Sequence, residues 1–103
     1  MSFVRVCALS DLTENAPKAV EVDGVPVCLA RVDGEVLALL DECSHAEVAL
    51  SDGDVDGGTV ECWLHGSRFD LRTGKPIGPP ATEAVPTYPV RVDGDDVLVA
   101  VKE

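Results

Sequence analysis

A chain of 103 residues, 46% of them apolar, has room for one domain with a modest core and is too apolar to be a disordered tail. Nineteen acidic residues against eight basic ones leave a net charge of −11, which opposes binding to polyanions and excludes nucleic acid and anionic membrane as natural partners. No apolar run approaches the roughly 18 residues of a membrane span, and the start Met1-Ser2-Phe3-Val4-Arg5 lacks the apolar core of a signal peptide, so a soluble cytoplasmic protein is expected.

Phe3 to Ala8 alternates and reads as a first strand. Ser10-Asp11-Leu12 reads as the cap of a single helical turn, ended by Asn15-Ala16-Pro17. Three Val- and Leu-rich runs follow, Ala19–Val22, Val25–Arg31 and Glu35–Leu40, separated by Asp23-Gly24 and Asp33-Gly34. Asp-Gly between apolar runs signals a hairpin, because a type I′ turn needs positive φ at both central residues. The triplet Val-Asp-Gly returns at Val92-Asp93-Gly94, between Tyr88–Arg91 and Val97–Val101. It is read as recurrent turn chemistry rather than an internal repeat, since the spacings are irregular and the flanks do not match.

The middle of the chain is different. From Asp41 to Pro86 the segments are short and rich in Gly, Asp and Pro. Val55 and Thr59–Glu61 flank Asp56-Gly57-Gly58 as a small hairpin, and Arg68–Leu71 reads as a brief strand closed by Arg72-Thr73-Gly74. Nothing reads as a long helix. The expectation is an all-β domain spanning 1–103: an antiparallel sandwich or partly open barrel, with a small subdomain over about 41–86 inserted in the β base. Cys7 and Cys28 lie in apolar alternating runs and are expected to be buried core thiols, not a disulfide pair in a reducing cytoplasm.

Within that middle stretch Cys43-Ser44-His45 is followed, after sixteen residues, by Cys62-Trp63-Leu64-His65, and these two histidines are the only ones in the chain. Thiolate with imidazole selects zinc, or iron with sulfide. Zinc fingers usually pair like with like. Mixed pairs are expected where one iron takes both thiolates and the other takes both imidazoles, with His₂ replacing Cys₂.

The pattern C-x-H-x16-C-x2-H followed by Gly66-Ser67, with Gly78-Pro79-Pro80 downstream, closely resembles Rieske proteins, and the chain length resembles soluble bacterial Rieske ferredoxins. The resemblance implies one Rieske-type [2Fe–2S] cluster per chain, with Cys43 and Cys62 on the inner iron and His45 and His65 on the outer. Gly66 would allow a close approach or a positive φ. Gly78-Pro79-Pro80 resembles the third loop that covers the cluster, where Pro79 pre-sets the backbone. Respiratory-complex relatives carry a further Cys in each ligand loop, joined in a disulfide; Val48 and Leu64 stand at the corresponding positions here. Those relatives also place a Ser and a Tyr after the last His as hydrogen-bond donors to cluster sulfur. Ser67 fits the first role, whereas Phe69 stands in the second and has no hydroxyl. Fewer donors leave the reduced cluster less stabilised, so the potential is expected toward the low end of the roughly −150 to +300 mV Rieske range.

Two ferric ions and two sulfides total about +2, which two thiolates cancel, so a loaded chain stays acidic and a basic docking face on its partner is the complement. Trp63, inside the second ligand loop, either belongs to a docking surface or packs against the loop's base. The implied function is one-electron transfer from a flavoprotein reductase to a non-haem iron (ring-hydroxylating) oxygenase, by a monomeric carrier. An oxygenase needs a second site of two His and a carboxylate, and both histidines are committed, so the chain is not expected to be an enzyme alone. Two alternatives stand beside this: a Rieske ferredoxin serving iron–sulfur cluster assembly proteins, and a zinc-stabilised interaction module.

Overall fold

A computed structural model describes residues 3–43, 48–63, 66–77 and 83–101. Among these residues eleven strands run β1 (Val4–Ala8), β2 (Pro17–Val22), β3 (Val25–Val32), β4 (Glu35–Leu40), β5 (Asp54–Asp56), β6 (Thr59–Glu61), β7 (Arg68–Asp70), β8 (Pro76–Ile77), β9 (Thr87–Tyr88), β10 (Val90–Asp93) and β11 (Asp96–Val99). They form three antiparallel sheets, ordered β1-β11-β10, β2-β3-β4-β9 and β5-β6-β7-β8. The only helical elements among the described residues are the 3₁₀ turns Leu9–Asp11 and Leu50–Asp52. The all-β expectation holds, as open sheets and not a closed barrel.

The β2-β3-β4-β9 sheet is the middle layer, because both of its faces are covered. On one face Val27, Leu29, Val36 and Ala38 meet Cys7, Val97 and Val99 of the β1-β11-β10 sheet. On the other face Cys28, Ala30, Val32 and Leu39 meet Val55, Val60, Phe69 and Leu71 of the third sheet and its flanks. A strand covered on both sides has no polar face to show, so β3 runs Val27-Cys28-Leu29-Ala30 with every residue fully buried. Cys7 and Cys28 are both buried, as expected, and they serve opposite faces of the middle sheet.

The β3 hairpins form as the sequence predicts. Asp23, Gly24, Asp33 and Gly34 all have positive φ, as type I′ turns require. The third Val-Asp-Gly triplet departs. Asp93 pairs with Asp96, so the two-residue turn is Gly94-Asp95, one position later than expected. That register sets Val90 opposite Val99 and Val92 opposite Val97, whereas the expected one would oppose Val92 to Asp95. The run Tyr88–Arg91 is also not one strand. Pro89 has no N–H to give a ladder, and the chain changes sheets there: β9 pairs with β4 and β10 with β11. The first helical turn is capped by Asp11, whose carboxylate accepts the Ala8 N–H at 3.1 Å, rather than by Ser10.

Neighbouring strands β4 and β9 are joined in sequence by the segment that builds the β5-β6-β7-β8 sheet. Its inner row is Val55–Val60–Phe69–Pro76, and its outer row is Asp54–Glu61–Arg68–Ile77. Cys62 directly follows Glu61, so the second Cys-His loop leaves from the end of the sheet marked by that outer row.

Candidate metal centre

Cys43 lies three residues beyond the end of β4 and is 2% exposed. Its N–H donates to the Val48 carbonyl at 3.0 Å, which holds Cys43 and Val48 together. Asp41, just before it, is tied back to β3 by its own N–H to the Pro26 carbonyl at 3.0 Å. Its carboxylate accepts from the Ser51 N–H at 2.7 Å and from the Ser51 hydroxyl at 2.6 Å. The first loop therefore starts and ends on fixed points.

Cys62 is fully buried at the exit of β6. Its N–H donates to the Ser67 carbonyl at 2.6 Å, and its carbonyl accepts the Gly66 N–H at 2.9 Å. The chain thus turns through a tight hook, with Gly66 at φ 75°, a conformation that favours glycine. Ser67 is buried, and Phe69 points inward from β7 into the apolar cluster that contains Cys43 and Cys62. Leu50, Val55, Val60 and Leu71 complete the walls around the two thiols.

The structure thus brings together Cys43, Cys62 and Phe69 in one cluster, with Ser67 and Gly66 in the hook. Val48 is half-buried against the same cluster. His45, His65, Leu64 and the Gly78-Pro79-Pro80 segment lie outside the described residues. Trp63 is 55% exposed and stands on the surface beside the buried Cys62. The outer row next to it carries one cation, Arg68, whose guanidinium lies 3.5 Å from Glu61 and 3.3 Å from the Thr59 hydroxyl.

The donor chemistry fits an iron–sulfur group. Cys43 and Cys62 are buried in one apolar cluster, and as thiolates they would supply the negative charge that ferric iron balances. Cys28 shows what burial does to a thiol with no such partner. Desolvation, with the charge of Asp41 added, pushes it up to about 12.

Sequence reasoning missed the pairing of Asp41 with Ser51. The available signal was an acidic residue placed directly after the apolar run of β4, followed ten residues later by Ser51-Asp52-Gly53.

A family model, the Rieske [2Fe-2S] domain, matches residues 2–89. The biphenyl dioxygenase ferredoxin subunit of Pseudomonas sp. (strain KKS102) is 41% identical over 100 residues, which are 96% of this chain and 92% of that protein. The ferredoxin of carbazole 1,9a-dioxygenase from Nocardioides aromaticivorans IC177 superposes with a TM-score of 0.95 at 41% identity, covering 99% of this chain and 100% of that one. A chain in a complex of reduced oxygenase and oxidized ferredoxin in carbazole 1,9a-dioxygenase superposes at 0.90 with 34% identity, over 95% of this chain and 92% of that one.

Proposed function

The chain belongs to the Rieske [2Fe-2S] domain family, and from that premise we propose that it is the ferredoxin component of a ring-hydroxylating oxygenase system. The carrying observation is the two-way coverage: nearly all of this chain matches nearly all of ferredoxin subunits from such systems. Cys43 and Cys62 hold the inner iron, and His45 and His65 hold the outer. A cluster bound there would supply one-electron redox chemistry. The chain performs no bond-making step of its own.

Each residue of the site has a separate task in this reading. The apolar wall of Leu50, Val55, Val60 and Phe69 keeps water from the thiolate side. Without water, charge on sulfur is stabilised only by fixed dipoles and donors. Phe69 offers no donor, which favours a low potential and suits a carrier fed by a flavoprotein reductase. Ser67 is retained as a hydroxyl donor toward the cluster, and Pro79 pre-sets the covering loop. Exposed Trp63 is an anchor for the oxygenase, since a partly exposed Trp beside the electron's exit makes a strong interface contact. The chain is a monomeric cytoplasmic domain over 1–103. Residues 41–86 serve as its cluster-binding subdomain, a division supported by the insertion of the β5-β6-β7-β8 sheet between neighbouring β4 and β9.

The test is reconstitution. Protein purified without oxygen should contain about two irons and two acid-labile sulfides per chain. It should be reduced by a flavoprotein reductase of an aromatic-ring dioxygenase system and be reoxidised during oxygenase turnover. A cluster-loaded protein that no such reductase reduces, but that supports cluster assembly proteins, would move the client to that second system. Zinc without sulfide would end the electron-transfer reading.

A further inference from the structure

Two polar side chains are buried among the described residues, Asp41 and Ser67, and each stands beside a cysteine loop. Ser67 is absorbed by the site already described. Asp41 is not, and a buried carboxylate is costly unless its oxygens are satisfied. Both are, and by one residue: Ser51 donates its N–H to Oδ1 at 2.7 Å and its hydroxyl to Oδ2 at 2.6 Å. Charge-assisted pairs this short are strong, and a two-point contact fixes direction as well as distance.

The position of the pair gives it a further consequence. Asp41 is bound to β3 through the Pro26 carbonyl, two residues before Cys43. Ser51 stands at the far side of the first loop, inside the 3₁₀ turn Leu50–Asp52. The pair is therefore a clasp across the base of a loop that holds Cys43. Beyond the turn, Gly53 donates its N–H to the Leu50 carbonyl at 3.0 Å and presses against the neighbouring strand. A methyl group on Gly53 would sit 1.7 Å from the carbonyl oxygen of Glu61, so only glycine lets the backbones approach this closely. Glu61 is the residue before Cys62. A continuous line of contacts thus runs from the Cys43 loop through Asp41, Ser51 and Gly53 to Glu61 and the Cys62 hook.

We propose that Asp41, Ser51 and Gly53 form a strap that fixes the two cysteine loops relative to each other, which makes Asp41 and Ser51 positioning residues for the cluster. The proposal rests on the reading that Cys43 and Cys62 are its ligands. Without the strap each thiolate is held by its own loop alone. The strap keeps the thiolates preorganised, so it slows loss of the cluster and narrows the range of geometries that the bound cluster samples.

The experiment compares cluster-loaded wild type with Ser51→Ala, Ser51→Thr and Asp41→Asn. Val97→Ala, in the core between the other two sheets, serves as a control for general destabilisation. Three quantities are read: the rate of bleaching in the presence of an iron chelator, the width of the electron paramagnetic resonance lines of the reduced protein, and the unfolding midpoint. Loss of a hydrogen bond to a charged acceptor predicts bleaching of Ser51→Ala on the order of tenfold faster than wild type. It should also outpace Val97→Ala of equal or lower midpoint, and its lines should broaden. Ser51→Thr, which keeps the hydroxyl, should bleach close to the wild-type rate. Bleaching that follows the unfolding midpoint alone across all variants, with unchanged lines, would overturn the strap while leaving the carrier reading intact. A wild type that binds no iron–sulfur cluster would end both.

Discussion

Four buried cysteines in one small chain have two different fates, and position decides which. Cys43 and Cys62 stand where strands have just ended, so their thiols sit in turns whose backbone can be shaped around a ligand. Cys28 stands in mid-strand, opposite Leu39, and is sealed by both neighbouring strands. Its thiol, ordinarily near 9.0, is pushed up to about 12 by burial first and by Asp41 second. In the unfolded chain the thiol ionises near its ordinary value, and in the folded chain it stays neutral. The stability tied to it is therefore complete below pH 9 and is lost as pH rises toward 12. A separation of about three pH units is worth about 4 kcal/mol at the upper end. Cys28→Ala should cost about 1 kcal/mol near neutrality and should lose less on going to pH 10.5 than wild type does. Urea midpoints at pH 8 and pH 10.5 read the difference, and parallel decline of the two proteins would mean that Cys28 is not sealed. The alternating runs around Cys7 and Cys28 made their burial legible. The burial of Asp41 was legible only in its place directly after an apolar run, because a carboxylate in a loop ordinarily faces water and its partner Ser51 lies ten residues on.

The elements show how local turn chemistry and long-range register share control. Identical Val-Asp-Gly triplets place Asp23 and Asp33 at positive φ, 50° and 52°, but Asp93 does not take that conformation. In the first two hairpins the turn residues and the apolar pairing agree on one register. In the third they conflict, and the pairing of Val90 with Val99 and Val92 with Val97 decides. No window of the sequence as short as a turn contains that information. Left-handed backbone costs an ordinary L-residue about 1 kcal/mol, and Asp tolerates it better than Ala. Asp23→Ala and Asp33→Ala should each lose about 1 kcal/mol, while Asp93→Ala should stay within about 0.5 kcal/mol of wild type. Equal losses in all three denaturation curves would show that side-chain contacts, and not backbone conformation, set the cost. The same argument covers Pro89. The residue composition of Tyr88–Arg91 reads as one strand, and only the missing N–H marks where the chain passes to another sheet.

At the scale of the molecule the charge is the least balanced property. Arg5, Arg31, Arg68 and Arg72 are each engaged with a carboxylate: Asp96, Glu14, Glu61 and Glu35. These pairs are partly or largely exposed and contribute little stability, but they neutralise the cations where they stand. Eight basic residues cannot match nineteen acidic ones, so a net −11 is presented to any approaching protein. Asp54 and Glu61 lie in the outer row of the sheet from which the Trp63 loop leaves. A field of this sign accelerates encounter with a basic partner and is screened within about 10 Å at 0.1 M salt. Electron transfer from the proposed reductase partner should therefore slow by about tenfold or more between low and roughly 0.5 M salt. Asp54→Asn combined with Asp56→Asn should slow it at low salt and leave it unchanged at high salt, because only the screened part of the rate is removed. Stopped-flow reduction of the loaded protein across a salt series measures both effects. Rates that do not respond to ionic strength would assign the acidic surface to solubility, and contact at Trp63 would then carry recognition without electrostatic guidance.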